Sequence, residues 1–114
     1  DAFSGCNSLK NVAIGNGVQT IKEGAFSYCR SLERISIPDN VTTIEGRIFK
    51  ECTSLKNVTI SNGVQAIEDD AFRSCKSLEN ISIPDNVTSI GKFAFFYCTS
   101  TFSTKFLSTK KQGF

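Results

Sequence analysis

The chain has 114 residues, enough for one ordinary domain, with 39% hydrophobic and 21% charged residues. Its net charge is only +2, and it has no His, no Met and no Trp. That near-neutral balance argues against nucleic-acid binding, which needs a basic face. The absence of His removes the usual general acid–base and triad chemistry. No stretch reaches the roughly 18 apolar residues of a membrane span. The opening DAFSGC lacks the basic start and apolar core of a signal peptide, and there is no initiator Met. These features read as a processed chain or a piece of something longer.

From its first residues the chain keeps a fixed period of 23. Cysteine falls at Cys6, Cys29, Cys52, Cys75 and Cys98. Phenylalanine keeps the same step at Phe3, Phe26, Phe49, Phe72 and Phe95, and leucine at Leu9, Leu32, Leu55 and Leu78. Repetition at this length signals a solenoid, in which each repeat is one coil that packs only on its neighbours. A 46-residue pattern lies over the 23-residue one. The coils from Cys6 and Cys52 carry Asn16-Gly17-Val18 and Asn62-Gly63-Val64. The coils from Cys29 and Cys75 carry Pro38-Asp39-Asn40-Val41 and Pro84-Asp85-Asn86-Val87.

Within a coil the elements follow in order. Val12 and Ile14 alternate with Asn11 and Ala13, the period-2 pattern of a half-buried strand. Stacked coils make these strands a parallel sheet. The turn that follows carries Gly17, Asn40, Gly63 or Asn86, residues that tolerate a left-handed backbone, so a left-handed turn is expected there. Pro38 and Pro84 fix φ in the coils that lack Gly. Val18 and Ile21 begin the return side. Gly24-Ala25-Phe26 predicts a short helical turn ending near Cys29. Ala at this column predicts close coil-to-coil packing, and Ile48 in its place predicts a local adjustment. Eight columns point inward: the Leu, two strand aliphatics, Val, Ile, Ala, Phe and Cys. One coil alone buries too little to offset ordering its own backbone, so coils must stack.

The string L-x-x-V-x-I-P-x-x-V-x-x-I, followed by A-F-x-x-C, resembles the BspA-like, treponemal type of leucine-rich repeat. Leu32, Ile35, Ile37, Pro38, Val41 and Ile44 carry it in one coil. Leu78, Ile81, Ile83, Pro84, Val87 and Ile90, then Ala94, Phe95 and Cys98, carry it in another. The resemblance covers residues 1–98 and departs from the commonest leucine-rich pattern where Asn alternates with Gly. It implies an α/β repeat solenoid: a right-handed stack of about four and a half coils, with a parallel β-sheet on one face and short helical turns opposite. It also implies a cell-surface or secreted protein of a bacterium or protist, often acting in host adhesion.

The expected domain is 1–98, with 99–114 a degenerate last coil, a cap or a tail. In that segment Thr101 and Thr104 take column positions, and Lys105, Lys110 and Lys111 add charge without an acid. Either Phe93, Phe96, Phe102 and Phe106 partly cover the open end, or the segment is a frayed tail.

Candidate chemistry is sparse. The five cysteines form no C-x-x-C and have no His partner, so they read as buried reduced thiols rather than a metal or disulfide set. Glu68-Asp69-Asp70 lacks the spaced ligands of a calcium loop and reads as a solvated turn. No cofactor and no metal is expected. What remains is surface. The outward strand residues Asn11, Ala13, Arg34, Ser36, Asn57, Thr59, Asn80 and Ser82 form the candidate binding face. Beside them Lys10, Glu33, Lys56 and Glu79 alternate in sign and are expected to pair across coils, worth little each. Tyr28 and Tyr97 are possible partner anchors near the cysteine turns. Sequons at Asn40, Asn57, Asn80 and Asn86 matter only in a eukaryotic secretory pathway, where glycans on Asn57 and Asn80 would block the face.

The reading is therefore a non-catalytic module that binds a protein, such as a host or extracellular-matrix protein, without nucleic acid or membrane insertion. It would be a monomer or associate end to end through open solenoid ends. The alternative is a structural spacer with no ligand of its own.

Overall fold

The computed structural model describes residues 2–98. Among these residues seven short strands follow in chain order. They are β1 (Asn11–Ala13), β2 (Arg34–Ile37), β3 (Thr43–Ile44), β4 (Asn57–Ile60), β5 (Ala66–Ile67), β6 (Asn80–Ile81) and β7 (Ser89–Ile90). They form two parallel sheets. The larger has the order β1-β2-β4-β6 and the smaller β3-β5-β7. Register is one period throughout: Ile35 lies beside Val12 and Val58, and Val58 beside Ile81. The chain is thus a parallel β-solenoid whose rungs repeat every 23 residues.

Strand alternation sends Ile35, Ile37, Val58 and Ile60 into the core and leaves Ser36 and Thr59 outside. All eight expected inward columns are filled. In the central coils Leu32, Leu55, Leu78, Val41, Val64, Ile44 and Ile67 are buried, as are Phe49, Phe72, Cys52 and Cys75. At the two ends the same columns are only partly covered, at Leu9, Val12 and Ile14 and at Ile81, Ile83 and Ile90. The first coil leaves an apolar groove of about 520 Å³ lined by Phe3, Leu9, Val12, Ile14, Val18 and Phe26, among others.

The phenyl column forms a continuous ladder of stacked rings. Centroid steps are 5.3 Å for Phe3–Phe26, 5.2 Å for Phe49–Phe72 and 5.2 Å for Phe72–Phe95. The step from Phe26 to Phe49 widens to 5.9 Å. It falls at the coil where buried Ile48 replaces the column's Ala, the adjustment that substitution predicts.

The return side is not helical. Each coil there is a run of i→i+3 turns: Ala25 donates to Lys22, Ser27 to Gly24, Cys29 to Phe26 and Leu32 to Cys29. Two left-handed residues per coil stop the run from propagating as a helix. One column is Gly24 (φ 69), Arg47 (φ 55), Asp70 (φ 60) and Phe93 (φ 59). The other is Gly5 (φ 75), Tyr28 (φ 61), Glu51 (φ 62), Ser74 (φ 64) and Tyr97 (φ 61). Each reversal turns alternate N–H groups outward along the stack. Phe49 then donates to Ala71 (2.8 Å), Glu51 to Arg73 (2.8 Å) and Phe72 to Ala94 (2.7 Å). A helix would have spent those donors within its own coil. This inter-coil ladder replaces the expected helical turns.

The Gly/Asn column also differs from expectation. Gly17, Asn40, Gly63 and Asn86 are not left-handed. They are the third residues of i→i+3 turns closed by Val18 on Gly15 (3.1 Å), Val41 on Pro38 (3.2 Å), Val64 on Ser61 (3.3 Å) and Val87 on Pro84 (3.1 Å). At Gly63 the identity is set by stacking. A Cβ on Gly63 would sit 1.9 Å from the carbonyl oxygen of Asp39 in the coil before. Asn40 and Asn86 instead donate a side-chain amide back to the carbonyls of Asn16 and Asn62. Alternate coils therefore meet in two ways: backbone against backbone through Gly63, or amide to carbonyl through Asn.

Candidate functional site

The candidate face is the outer surface of the four-stranded sheet. Register places Asn11, Arg34, Asn57 and Asn80 in one row, one residue per coil. Ala13, Ser36 and Thr59 form a second row two residues on. Seven of the eight expected residues are exposed, and Asn57 is half-buried. Ser82 lies one residue beyond β6, so it continues the second row without the strand pairing that holds the others. Within the first row the side chains begin a ladder of their own, with the Asn80 amide donating to the Asn57 oxygen at 2.6 Å. The face is flat, polar and short-chained. Arg34 is the one residue on it of a type common at interface hot spots.

The flanking row Lys10, Glu33, Lys56 and Glu79 is joined through its backbone: Glu33 donates to Lys10 (2.7 Å), Lys56 to Glu33 (3.0 Å) and Glu79 to Lys56 (3.0 Å). Its charged ends close no ion pair among the described residues. All four side chains are exposed, where the entropy of fixing long chains cancels most of the attraction. The expected cross-coil pairing is therefore one of backbone and alternating charge, without salt bridges. Two ion pairs lie on the return side, Arg47 with Glu23 and Arg73 with Asp70.

The five cysteines are free thiols. Each of four donates to the Phe carbonyl one coil back: Cys29 to Phe3 (3.1 Å), Cys52 to Phe26 (3.1 Å), Cys75 to Phe49 (3.2 Å) and Cys98 to Phe72 (3.2 Å). Burial raises the pKa of Cys29 and lifts those of Cys52 and Cys98 from 9.0 to about 12. The same desolvation pushes Cys75 well above the ordinary 9.0. Nucleophilic chemistry needs the thiolate, which this environment disfavours.

The Glu68-Asp69-Asp70 turn lines a polar groove with Glu23, Arg47, Ser89 and Gly91. Asp69 there accepts the backbone N–H of Lys92 at 2.8 Å, and Asp70 is paired with Arg73. Among the described residues no group of three His, Cys, Asp or Glu side chains could hold a metal ion. Nor is any helix there long and apolar enough to cross a membrane.

One surface cluster was not legible as a site. Arg73 lies over the rings of Phe93 (5.6 Å) and Phe96 (5.2 Å), and Phe96 packs on Tyr97 (4.2 Å). Phe93 and Tyr97 are largely exposed, on the return side. The sequence left Phe93 and Phe96 either as part of a cap over the open end or beside a frayed tail; in the structure both rings lie against Arg73 of the preceding coil. Phe102 and Phe106 lie outside the described residues. Tyr28 is half-exposed beneath Arg30, whose guanidinium sits 5.2 Å from the ring.

A stack of parallel rungs with a Leu column, a phenyl ladder and one open strand face defines a leucine-rich-repeat solenoid. Comparison with protein families matches residues 1–111 to the BspA type leucine rich repeat region, in 6 copies. That match runs on past Cys98 into the segment where the column residues change. The chain belongs to the BspA-type leucine-rich-repeat family. Comparison with curated proteins finds no match.

Among solved structures it is similar to a leucine-rich-repeat protein of T. pallidum, at 38% identity and a TM-score of 0.80 over 83% of this chain and 44% of that one. A leucine-rich-repeat protein of Bacteroides ovatus is 34% identical with a TM-score of 0.76, over 78% of this chain and 23% of that one. A leucine rich cell surface protein of Faecalibacterium prausnitzii is 32% identical with a TM-score of 0.63, over 85% of this chain and 32% of that one. The chain thus spans less than half the length of each of these relatives.

Proposed function

We propose that this chain is a non-catalytic protein-recognition module within a longer cell-surface or secreted protein, and that its polar sheet face docks a host or extracellular-matrix protein. The observation that carries the reading is the in-register row Asn11, Arg34, Asn57 and Asn80 on one continuous exposed sheet. Solenoids use such extended faces for recognition. Placement at the cell surface is supported by one similar protein, which is described as a leucine rich cell surface protein. Replacing Arg34, Asn57 and Asn80 together by Ala in the parent protein tests the reading. Binding to immobilised matrix proteins should be lost while circular dichroism is unchanged.

A second reading is favoured by the shortness of the side chains on that face. Ala13, Ser36 and Thr59 offer little to grip, and the coils then serve as a spacer holding another segment away from the cell. Full binding by the triple variant supports that reading over the first.

A further inference from the structure

The row Lys10, Glu33, Lys56 and Glu79 borders the sheet face with one exposed residue per coil, and its sign alternates with the 46-residue super-repeat. None of the four closes an ion pair among the described residues. We propose that this face pairs with the same face of a second copy, about a two-fold axis that runs along the strands and passes between the second and third coils.

Sign and spacing select the axis. A two-fold along the strands keeps each residue's place along its strand and reverses the order of the coils. Lys10 then meets Glu79 of the second copy, and Glu33 meets Lys56. Each pair occurs twice, as a two-fold requires, so every charge in the two rows faces its opposite. The same axis lays Arg34 on Asn57 and Asp39 on Asn62, so no like charges meet there.

The competing arrangements fail on the same count. A two-fold along the stack sets each coil against its own copy and reverses the strand. It puts Glu33 against Asp39, acid on acid. A strand-parallel axis through the second coil, rather than beside it, lays Lys10 on Lys56 and Glu33 on its own copy. Like charges placed together suppress both alternatives.

The rest of the face suits this occupant. Two sheets pack face to face at about 10 Å, which leaves room only for short side chains between them. Ala13, Ser36 and Thr59 are short and exposed, and the longer charged chains stand at the rim. Four rungs about 4.8 Å apart, each of roughly seven residues at about 3.3 Å, give a face of roughly 450 Å² per copy. Both faces together stay below the roughly 1,200 Å² at which stable pairs begin. Pairing through four coils is therefore weak and reversible, and it strengthens where copies are held close together. Self-pairing needs no host protein, so it stands apart from recognition of one. A paired copy covers Arg34, Asn57 and Asn80, and the two partners compete for the face.

Sedimentation velocity of the intact chain, over a concentration series reaching the millimolar range, tests the pairing. Dimer should form at low ionic strength, with a dissociation constant that rises about tenfold between ~20 mM and ~500 mM salt. Glu33→Lys sets lysine against Lys56 of the second copy, and Lys56→Glu sets glutamate against Glu33. Each variant alone should stay monomeric where the parent chain dimerises. An equimolar mixture of the two should dimerise, because the exchanged charges then meet their opposites. Both positions are exposed, and unchanged circular dichroism confirms that the variants fold. The proposal is overturned if the parent chain stays monomeric at low salt, if either variant alone dimerises as the parent does, or if the mixture stays monomeric.

Discussion

Adding one methyl at Gly63 should force apart the closest backbone approach between coils. At Gly63 the new Cβ would meet the Asp39 oxygen at 1.9 Å, the Asp39 carbonyl carbon at 2.9 Å and its Cα at 3.3 Å. All three are backbone atoms of the coil before, held by their own turn, so no side chain can move aside. Overpacking of this kind costs about 1–3 kcal/mol, and the upper part of that range is expected where backbone must shift. Urea unfolding of Gly63→Ala beside the parent chain reads the value from the midpoints, provided the slopes agree. An unchanged midpoint would refute the claim that Gly63 is chosen for coil-to-coil approach.

Three further outcomes follow from the same geometry. Phe72→Ala, which empties a fully buried rung of the phenyl ladder, should cost about 3–5 kcal/mol, while Phe93→Ala on the exposed return side should stay within about 0.5 kcal/mol. Differential unfolding of the two variants checks this. The buried thiols should make the fold sensitive to alkali. The folded pKa values of Cys52 and Cys98 lie above the ordinary 9.0, so the unfolded chain releases those protons first, and this stability is complete below pH 9 and lost as pH rises towards 12. Near-UV circular dichroism against pH, with Cys52→Ala showing a weaker dependence, measures it. On the sheet face, Arg34→Ala should shift stability by less than about 0.5 kcal/mol, because its side chain is exposed, so any loss of partner binding reports recognition rather than unfolding.

The inward columns were legible because a strict period exposes them: Leu32, Leu55 and Leu78 can only be equivalent if coils repeat every 23 residues. The same logic placed Asn11, Arg34, Asn57 and Asn80 in one row. The smaller sheet was not legible, because Thr43–Ile44 and Ala66–Ile67 are two residues long and too short to show alternation. The return side misled for a different reason. Ala-Phe spacing resembles a helical turn, and the left-handed positions that break it are held by Tyr28, Arg47, Glu51, Asp70 and Ser74, residues that advertise no such backbone. Their conformation is imposed by the inter-coil hydrogen bonds, a tertiary cause that local sequence does not carry. Conversely, Gly63 looked like a left-handed residue when it is a close-contact residue. Composition reports that glycine is needed, and only the neighbouring coil shows why.

Everything above depends on coils stacked in a register of one period. Through-space nuclear Overhauser contacts between backbone protons of Ile35 and Val58, and of Val58 and Ile81, test it most directly. The solenoid predicts a continuous parallel ladder in which each residue of β2 sees its equivalent 23 positions on, together with ring-current shifts along Phe26, Phe49 and Phe72. Antiparallel contacts, or partners displaced from that register, would contradict the stack and the recognition face built on it.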